Sequence, residues 1–502
     1  MTDSSIEIGA MSNRGKLLAL IGGPLLAFLV YFLLPESYTA VNGSEVEFSH
    51  AGRACLAITT LMAVWWFTEA LPIAATAMLP IVLYPLFQVS SAAEAFQNYA
   101  NGTIFLFLGG FLIAAGIHRW HLDRRIALAT ISLFGTKPNQ MVFGLMCSTA
   151  FLSAWVSNTA TAAMMVPIAI AVMGVVRSMQ DSDEPTKEEK NFSICLLLAI
   201  AYAASIGGMA TLIGSPPNGL YVRFMEQTYN QTVTFVDWMK IGLPVTLVLL
   251  PICYLLLTRI LFPTKLAGIP GGREWVKKEL AKLGPMSHGE KVVLMVFLFA
   301  ALLWILGPII RSMEINGIVP FKPLTDEVIA MMAGLLLFVI PVDSKRGIHA
   351  LDWSSAKDVV AWDVLLLFGG GLTMAAAIQK TGAAALVGAQ VASFAGLGEL
   401  PMMAGIATIV TFATEVTSNT ALAATMMPLI AAAAESLRIA PEGLLLTTAL
   451  TASCAFMMPV ATPPNAIVFG TGRLKISDMI RAGFFLNIIG ITVIVGLIQI
   501  IT

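Results

Sequence analysis

A chain of 502 residues that is 57% apolar and only 12% charged carries about half the charge of a soluble domain, which excludes an ordinary water-soluble globule. Its formal net charge of −1 points to no class of partner. The apolar runs are continuous, not alternating, so a β-barrel is excluded too and the chain reads as a polytopic helical membrane protein.

In chain order the candidate spans fall at 16–34, 52–68, 71–87, 103–118, 192–224, 238–261, 291–310, 326–341, 362–380, 443–470 and 478–500, eleven in all, with 192–224 and 443–470 interrupted. The first run is longer than the apolar core of a cleaved signal and reads as a retained span. Two further apolar stretches, 141–176 and 401–437, are broken in the middle by the triplets Ser157-Asn158-Thr159 and Ser418-Asn419-Thr420. Each stretch is either two crossing helices or one re-entrant hairpin. With a cytoplasmic N-terminus and hairpins that return to their own side, Lys and Arg concentrate in cytoplasmic segments 119–137, 177–190, 259–282, 345–357 and 473–481, and the C-terminus lies outside. That asymmetry is what the positive-inside rule expects. Two full crossings would leave the same loops in place, so charge keeps both readings open. Segment 262–288 reads as a basic amphipathic helix at the cytoplasmic surface. The five cysteines, Cys55, Cys147, Cys195, Cys253 and Cys454, lie in apolar segments without metal-ligand spacing and read as small apolar residues.

Three features recur in the same order. The Gly-Gly run FLFLGGFLIAAGIHR (105–119) resembles LLLFGGGLTMAAAIQK (365–380), the Ser-Asn-Thr stretches follow, and Gly214-Ser215-Pro216-Pro217-Asn218 is matched by Ala461-Thr462-Pro463-Pro464-Asn465. The chain is thus duplicated at a period of about 250–260 residues. In the topology above the two copies run in opposite directions across the membrane. The organisation expected is an N-terminal segment with the first span (1–51), a first inverted repeat (52–261, with hairpin 141–177 and broken helix 192–226), a cytoplasmic linker helix (262–288) and a second inverted repeat (289–502, with hairpin 401–437 and broken helix 443–471). Inverted repeats with broken helices are the sequence pointer to a secondary transporter.

The motifs carry a consistent chemistry. Pro-Pro removes two backbone donors from an apolar helix and opens it, and unwound backbone at membrane depth is tolerated only where it lines a cavity or is buried in protein. Ser and Asn ahead of a helical run are good N-caps. Helix N-termini attract anions, while neutral side-chain oxygens and free carbonyls suit a hard alkali cation. No Arg or Lys lies in or beside either triplet or either break. An anion held there depends on amides, hydroxyls and co-bound cations. Glu69 and Glu415 are carboxylates in apolar context; Glu415 is placed either to tune ion binding or to sit as a satisfied or water-facing carboxylate. His118 and His121 lie among arginines at a membrane edge and do not read as metal ligands, and Trp65 and Trp66 read as packing residues. The spans hold no nucleophile-and-base pair or His/Glu metal set, so an enzyme is not expected.

The run SCAFMMPVATPPNAIVFG (453–470) resembles the signature of the divalent anion:sodium symporter family, and the doubled Ser-Asn-Thr is similar to that family's other hallmark. The resemblance covers nearly the whole chain. It implies an all-α protein of eleven transmembrane helices plus two re-entrant hairpins, assembled as a homodimer whose transport domain moves by an elevator mechanism against a scaffold in a bacterial-type inner membrane. It implies C4-dicarboxylates (succinate, fumarate, malate), citrate or sulfate as substrate and sodium as the coupled ion. Carried onto this sequence, one sodium site uses Ser153, Ser157, Asn158 and Gly214. The other uses Thr414, Thr417, Asn419 and Ala461. The substrate meets Asn158, Thr159 and Ser215 on one side and Asn419, Thr420, Thr462 and Pro463 on the other. Both triplets are intact, which within the family favours a carboxylate over sulfate, and no basic residue replaces a sodium ligand, which favours symport over exchange. Gly214 and Ala461 occupy equivalent places without being identical.

Overall fold

The computed structural model describes residues 13–39, 44–135, 137–177, 186–264, 272–391 and 398–501. Parts of the expected N-terminal segment (1–12, 40–43), of the basic loop after the first hairpin (178–185) and of the linker (265–271) lie outside the described residues. The rest is almost wholly helical. Apolar surroundings offer a backbone N–H no partner but its own chain, and the helix satisfies every interior one.

Helix α1 (Asn13–Leu33) packs along α2 (His50–Thr68) and exposes Leu18, Leu25, Phe28 and Phe32, a face suited to lipid. A two-stranded antiparallel pair, β1 (Ser37–Thr39) and β2 (Glu45–Glu47), fills the connection. Trp66 is buried with its indole N–H on the Ile73 carbonyl, and Trp65 donates to the Ala19 carbonyl, so both are packing residues. Glu69 is exposed and closes α2 in the left-handed conformation, at φ 47°. The expected span 71–87 is two pieces, α3 (Ile73–Ala77) and α4 (Leu79–Leu86), because Pro80 begins a new helix instead of continuing the old one. Then come α5 (Ala92–Gln97), α6 (Gly102–Arg119) and α7 (Leu122–Phe134).

A helical hairpin follows, α8 (Pro138–Ser153) and α9 (Asn158–Arg177), and after it a broken helix, α10 (Lys187–Gly208) and α11 (Pro216–Tyr229). Helix α12 (Phe235–Leu255) ends in a wide turn, Leu256–Leu261, and α13 (Gly272–Lys282) is the linker helix. The second half repeats the scheme. It runs α14 (His288–Arg311), α15 (Asp326–Val339), the short pair β3 (Pro341–Asp343) and β4 (Ile348–His349), α16 (Trp353–Val359), α17 (Trp362–Lys380) and α18 (Ala383–Val391). A second hairpin, α19 (Glu399–Ala413) and α20 (Asn419–Leu437), precedes a second broken helix, α21 (Pro441–Thr451) and α22 (Pro463–Phe469), and the long α23 (Ile476–Ile501).

Among the described residues ten helices are long and apolar enough to cross a membrane, against the eleven expected. Their identity also shifts. The second arms of both hairpins, α9 and α20, qualify by length, while the pieces at 71–87, 326–341 and 443–470 do not. Each of those is cut short by a proline or an unwound stretch.

Two devices let polar and small residues live inside this helical mass. Buried threonines return their hydroxyls to carbonyls one turn back, as Thr149 does to Leu145, Thr425 to Ala421 and Thr448 to Leu444. The duplicated Gly-Gly pairs provide close approach. A Cβ on Gly109 would lie 2.4 Å from the Ala330 carbonyl carbon on α15, and one on Gly370 would lie 2.2 Å from the Ala77 oxygen on α3. Only glycine allows helices to meet this tightly.

Candidate functional site

The Ser157-Asn158-Thr159 triplet forms the turn and first residues of α9. Ser157 Oγ accepts the Ala160 N–H at 3.2 Å, a helix cap. Ser153, the last residue of α8, is fully buried; its Oγ lies 2.5 Å from Asn158 Oδ1 and 2.7 Å from the Ala204 carbonyl on α10. Three oxygens thus share one hydroxyl proton. That leaves lone pairs converging, the donor set a hard cation takes. Across the turn Trp155 stacks near Phe235 and Trp304, which fixes the tip against α12 and α14.

Beside this tip α10 stops and the chain runs unwound from Met209 to Ser215. Pro216 and Pro217 then start α11, where missing N–H groups cost nothing. Asn218 holds the break in shape, its Nδ2 donating to the carbonyls of Gly208 at 2.9 Å and Thr211 at 2.8 Å. The Thr211 hydroxyl donates to the Ala154 carbonyl in the hairpin turn. The backbone at Gly208 comes close to both Asn158 and Gly214: a Cβ there would lie 2.6 Å from Asn158 Oδ1 and 3.0 Å from the Gly214 oxygen. Ser153, Ser157, Asn158 and Gly214, the first cation set expected from the sequence, are therefore neighbours.

The second half repeats these contacts. Ser418 caps α20 through the Ala421 N–H. Thr414 Oγ1 lies 2.6 Å from Asn419 Oδ1 and 3.0 Å from the Ala452 carbonyl, a second cluster of three oxygens and one proton. Asn465 Nδ2 donates to the carbonyls of Ala455 at 3.1 Å and Met458 at 2.9 Å, and Thr462 caps α22. Thr417 returns its hydroxyl to the Ala413 carbonyl, while the Ala461 N–H bonds the Met458 carbonyl.

The halves interleave. Helix α9 packs on α22 and α20 on α11, so each hairpin's second arm meets the half-helix that follows the other half's break. Ser215 Oγ and Ser453 Oγ lie 3.1 Å apart and join the two breaks directly. Ser215, Thr420 and Thr462 are buried, whereas Thr159 and Pro463 are exposed. The N-termini of α9, α20, α11 and α22 belong to this one region and, with no Arg or Lys in the hairpin turns or breaks, provide its positive potential. A separate cavity of about 260 Å³, lined by Arg124, Met164 and Glu279 among others, contains none of these residues. No cluster of His, Cys, Asp and Glu able to hold a metal occurs among the described residues.

Several members of the site are not apparent from the sequence. Ser453 carries no pattern that distinguishes it from other small residues. Asn218 and Asn465 stood in the Pro-Pro-Asn motif without a role; their common spacing to the carbonyls they staple was the available signal. Glu415 is buried and satisfied by its neighbours, not water-facing. Its Oε1 accepts from Phe456 N (2.8 Å), Met457 N (2.9 Å) and Asn487 Nδ2 (2.7 Å), and Oε2 from Met457 N (3.0 Å) and Met458 N (2.9 Å).

Comparison with known proteins extends this picture. The family described as the sodium:sulfate symporter transmembrane region matches residues 18–501. The chain is 40% identical over 484 residues to the sodium-dependent dicarboxylate transporter SdcS of Staphylococcus saprophyticus, covering 96% of this chain and 91% of that protein. It is 39% identical over 486 residues to SdcS of Staphylococcus aureus, covering 96% and 90%. These relatives are named as transporters, not enzymes. In fold it is similar to the Neisseria gonorrhoeae MtrF structure (TM-score 0.60, 13% identity, 98% and 96% of the two chains) and to the Alcanivorax borkumensis YdaH transporter (0.56, 13%, 97% and 96%). On a match that runs almost end to end, this chain belongs to the divalent anion:sodium symporter family.

Proposed function

We propose that the protein imports C4-dicarboxylates such as succinate, fumarate and malate, driven by sodium ions. The observation that carries this reading is the pair of oxygen clusters, Ser153–Asn158–Ala204 and Thr414–Asn419–Ala452, each beside a helix N-terminus and an unwound break. Neutral oxygens with surplus lone pairs suit sodium. The amides and hydroxyls of Asn158, Thr159, Ser215, Asn419, Thr420, Thr462 and Pro463's helix start suit carboxylates. A dianion entering without a basic side chain meets a large desolvation cost. Two cation sets at the same helix ends offset that cost, so the sodium ions and the substrate favour one another's binding. The relatives named as sodium-dependent dicarboxylate transporters support the substrate class.

In this reading α8–α9 and α19–α20 are re-entrant hairpins, one entering from each side, within two inverted repeats. The hairpins and broken helices travel together as an elevator, and the protein works as a homodimer with its N-terminus cytoplasmic and its C-terminus outside. The wording of the matching family favours a second reading, a sodium-coupled sulfate importer; citrate symport and dicarboxylate exchange are variants on the same site. The test is uptake into proteoliposomes with succinate, citrate and sulfate offered separately. The reading expects succinate uptake that needs sodium. Sulfate uptake without succinate uptake overturns the substrate, and sodium-independent exchange overturns the coupling.

A further inference from the structure

The two halves satisfy their unwound breaks by different chemistry. In the first half every partner is neutral. The Thr211 hydroxyl bonds the Ala154 carbonyl, the Trp238 indole N–H bonds the Met209 carbonyl at 3.0 Å, and the Thr246 hydroxyl bonds the Ile206 carbonyl at 2.9 Å. The amides of Met209 and Ala210 still bond backbone carbonyls one turn back, at Ile206 and Gly207. Break 209–215 is short enough to retain them.

The second break, 452–462, is longer. The N–H groups of Phe456, Met457 and Met458 have left the helical ladder, and all three point at the carboxylate of Glu415. Glu415 stands in the turn of the second hairpin where the first hairpin has Ala154, next to Thr414 and two residues before Thr417. Its fourth donor, Asn487, comes from α23. From the same helix Gly483 presses on the break: a Cβ there would lie 2.3 Å from the Phe456 carbonyl. Gly242 on α12 stands likewise against Met209. The helices correspond, but among the described residues only the second break is held by a carboxylate.

Each hydrogen-bond partner of Glu415 is a donor, the arrangement an ionised carboxylate takes. With its oxygens taken by four N–H groups, it does not coordinate a cation itself. Its charge still acts over distance in a region from which water is largely excluded, since Glu415 is 4% exposed. We infer that Glu415 is a positioning residue that holds the second break against its hairpin and, through its charge, makes the Thr414/Asn419 oxygen cluster the tighter of the two cation sites. The first cluster, with Ala154 in the corresponding place, is the weaker. This inference rests on the proposed sodium coupling.

The experiment measures succinate uptake against external sodium for the wild type, Glu415→Gln and Glu415→Asp in proteoliposomes. It reads the half-saturating sodium concentration separately from the maximal rate at saturating sodium. The glutamine variant keeps size and removes charge, and the expected result is a rise of at least tenfold in half-saturating sodium. The aspartate variant keeps charge with a shorter reach; it is expected to lower the maximal rate while leaving half-saturating sodium within threefold of wild type. A glutamine variant within twofold of wild type overturns the inference. Equal sodium shifts in both variants also overturn it, because the residue then acts through shape alone. If the glutamine variant does not reach the membrane, the aspartate variant decides: a tenfold sodium shift there contradicts a role for charge. Wild-type uptake that ignores sodium instead sinks the proposed function, and is thereby distinguished from failure of this inference.

Discussion

Ser153 Oγ lies 2.5 Å from Asn158 Oδ1 across the turn of the first hairpin. Thr414 and Asn419 repeat the contact at 2.6 Å in the second. One hydroxyl serving two acceptors is an economical way to leave oxygen lone pairs unspent, and the two halves reach it with different hydroxyl residues. Ser153→Thr and Thr414→Ser are therefore expected to keep half-saturating sodium within about threefold. Ser153→Ala and Thr414→Ala each lose an oxygen and are expected to raise it about tenfold, roughly the 1.4 kcal/mol of one hydrogen-bond-sized interaction. Sodium-dependent uptake curves check both pairs.

Asn158 and Asn419 begin α9 and α20 and, in the proposed function, meet both sodium and substrate. Replacing either by alanine removes a cation oxygen and a substrate contact together. Each variant is expected to lose about 100-fold or more in uptake efficiency, roughly 3 kcal/mol, while remaining folded by size-exclusion profile. Full activity in either variant removes that residue from the site.

Gly242 sits where a methyl group would come 2.1 Å from the Met209 carbonyl oxygen and 2.8 Å from Trp238 Nε1. That carbonyl is backbone and cannot rotate away. Gly242→Ala is expected to destabilise by about 1–3 kcal/mol through overpacking and to lower the unfolding temperature in detergent by several degrees. Gly174, with nothing within 4 Å of an added Cβ, is the control, and Gly174→Ala is expected to leave that temperature unchanged or higher.

Arg125 on α7 pairs with Glu290 at 2.6 Å and also donates to the carbonyls of Leu283 and Gly284, binding the chain after α13 to the start of α14. Both side chains are largely buried, 16% and 7% exposed. Arg125→Ala leaves the carboxylate uncompensated and is expected to cost about 3 kcal/mol. The double variant Arg125→Ala/Glu290→Ala is expected to lose less than the sum of the two single changes, a coupling that a thermal double-mutant cycle reads directly.

The duplicated motifs were legible because polar triplets and Pro-Pro pairs stand out in apolar sequence, and because Ser157 to Thr159 and Ser418 to Thr420 keep the same local spacing to their caps. The same logic located both breaks, since Pro216 and Pro463 can only begin a helix there. Span lengths were less legible. Hydropathy over 71–87 is continuous, and it does not reveal that Pro80 divides it into α3 and α4. The meeting of the two halves was not legible at all. The Ser215–Ser453 contact and the clasp of Glu415 on the amides of Phe456 to Met458 depend on how α9, α20 and α23 pack around the breaks, and no local pattern encodes that.

The central claim is that this duplicated site, with no basic side chain in its turns or breaks, binds a dicarboxylate only together with sodium. The most direct measurement is succinate uptake into proteoliposomes of the purified protein, with and without an inward sodium gradient and with potassium as the replacement ion. The account predicts concentrative uptake under the sodium gradient and uptake near the protein-free background in potassium. Equal uptake in the two salts would contradict it.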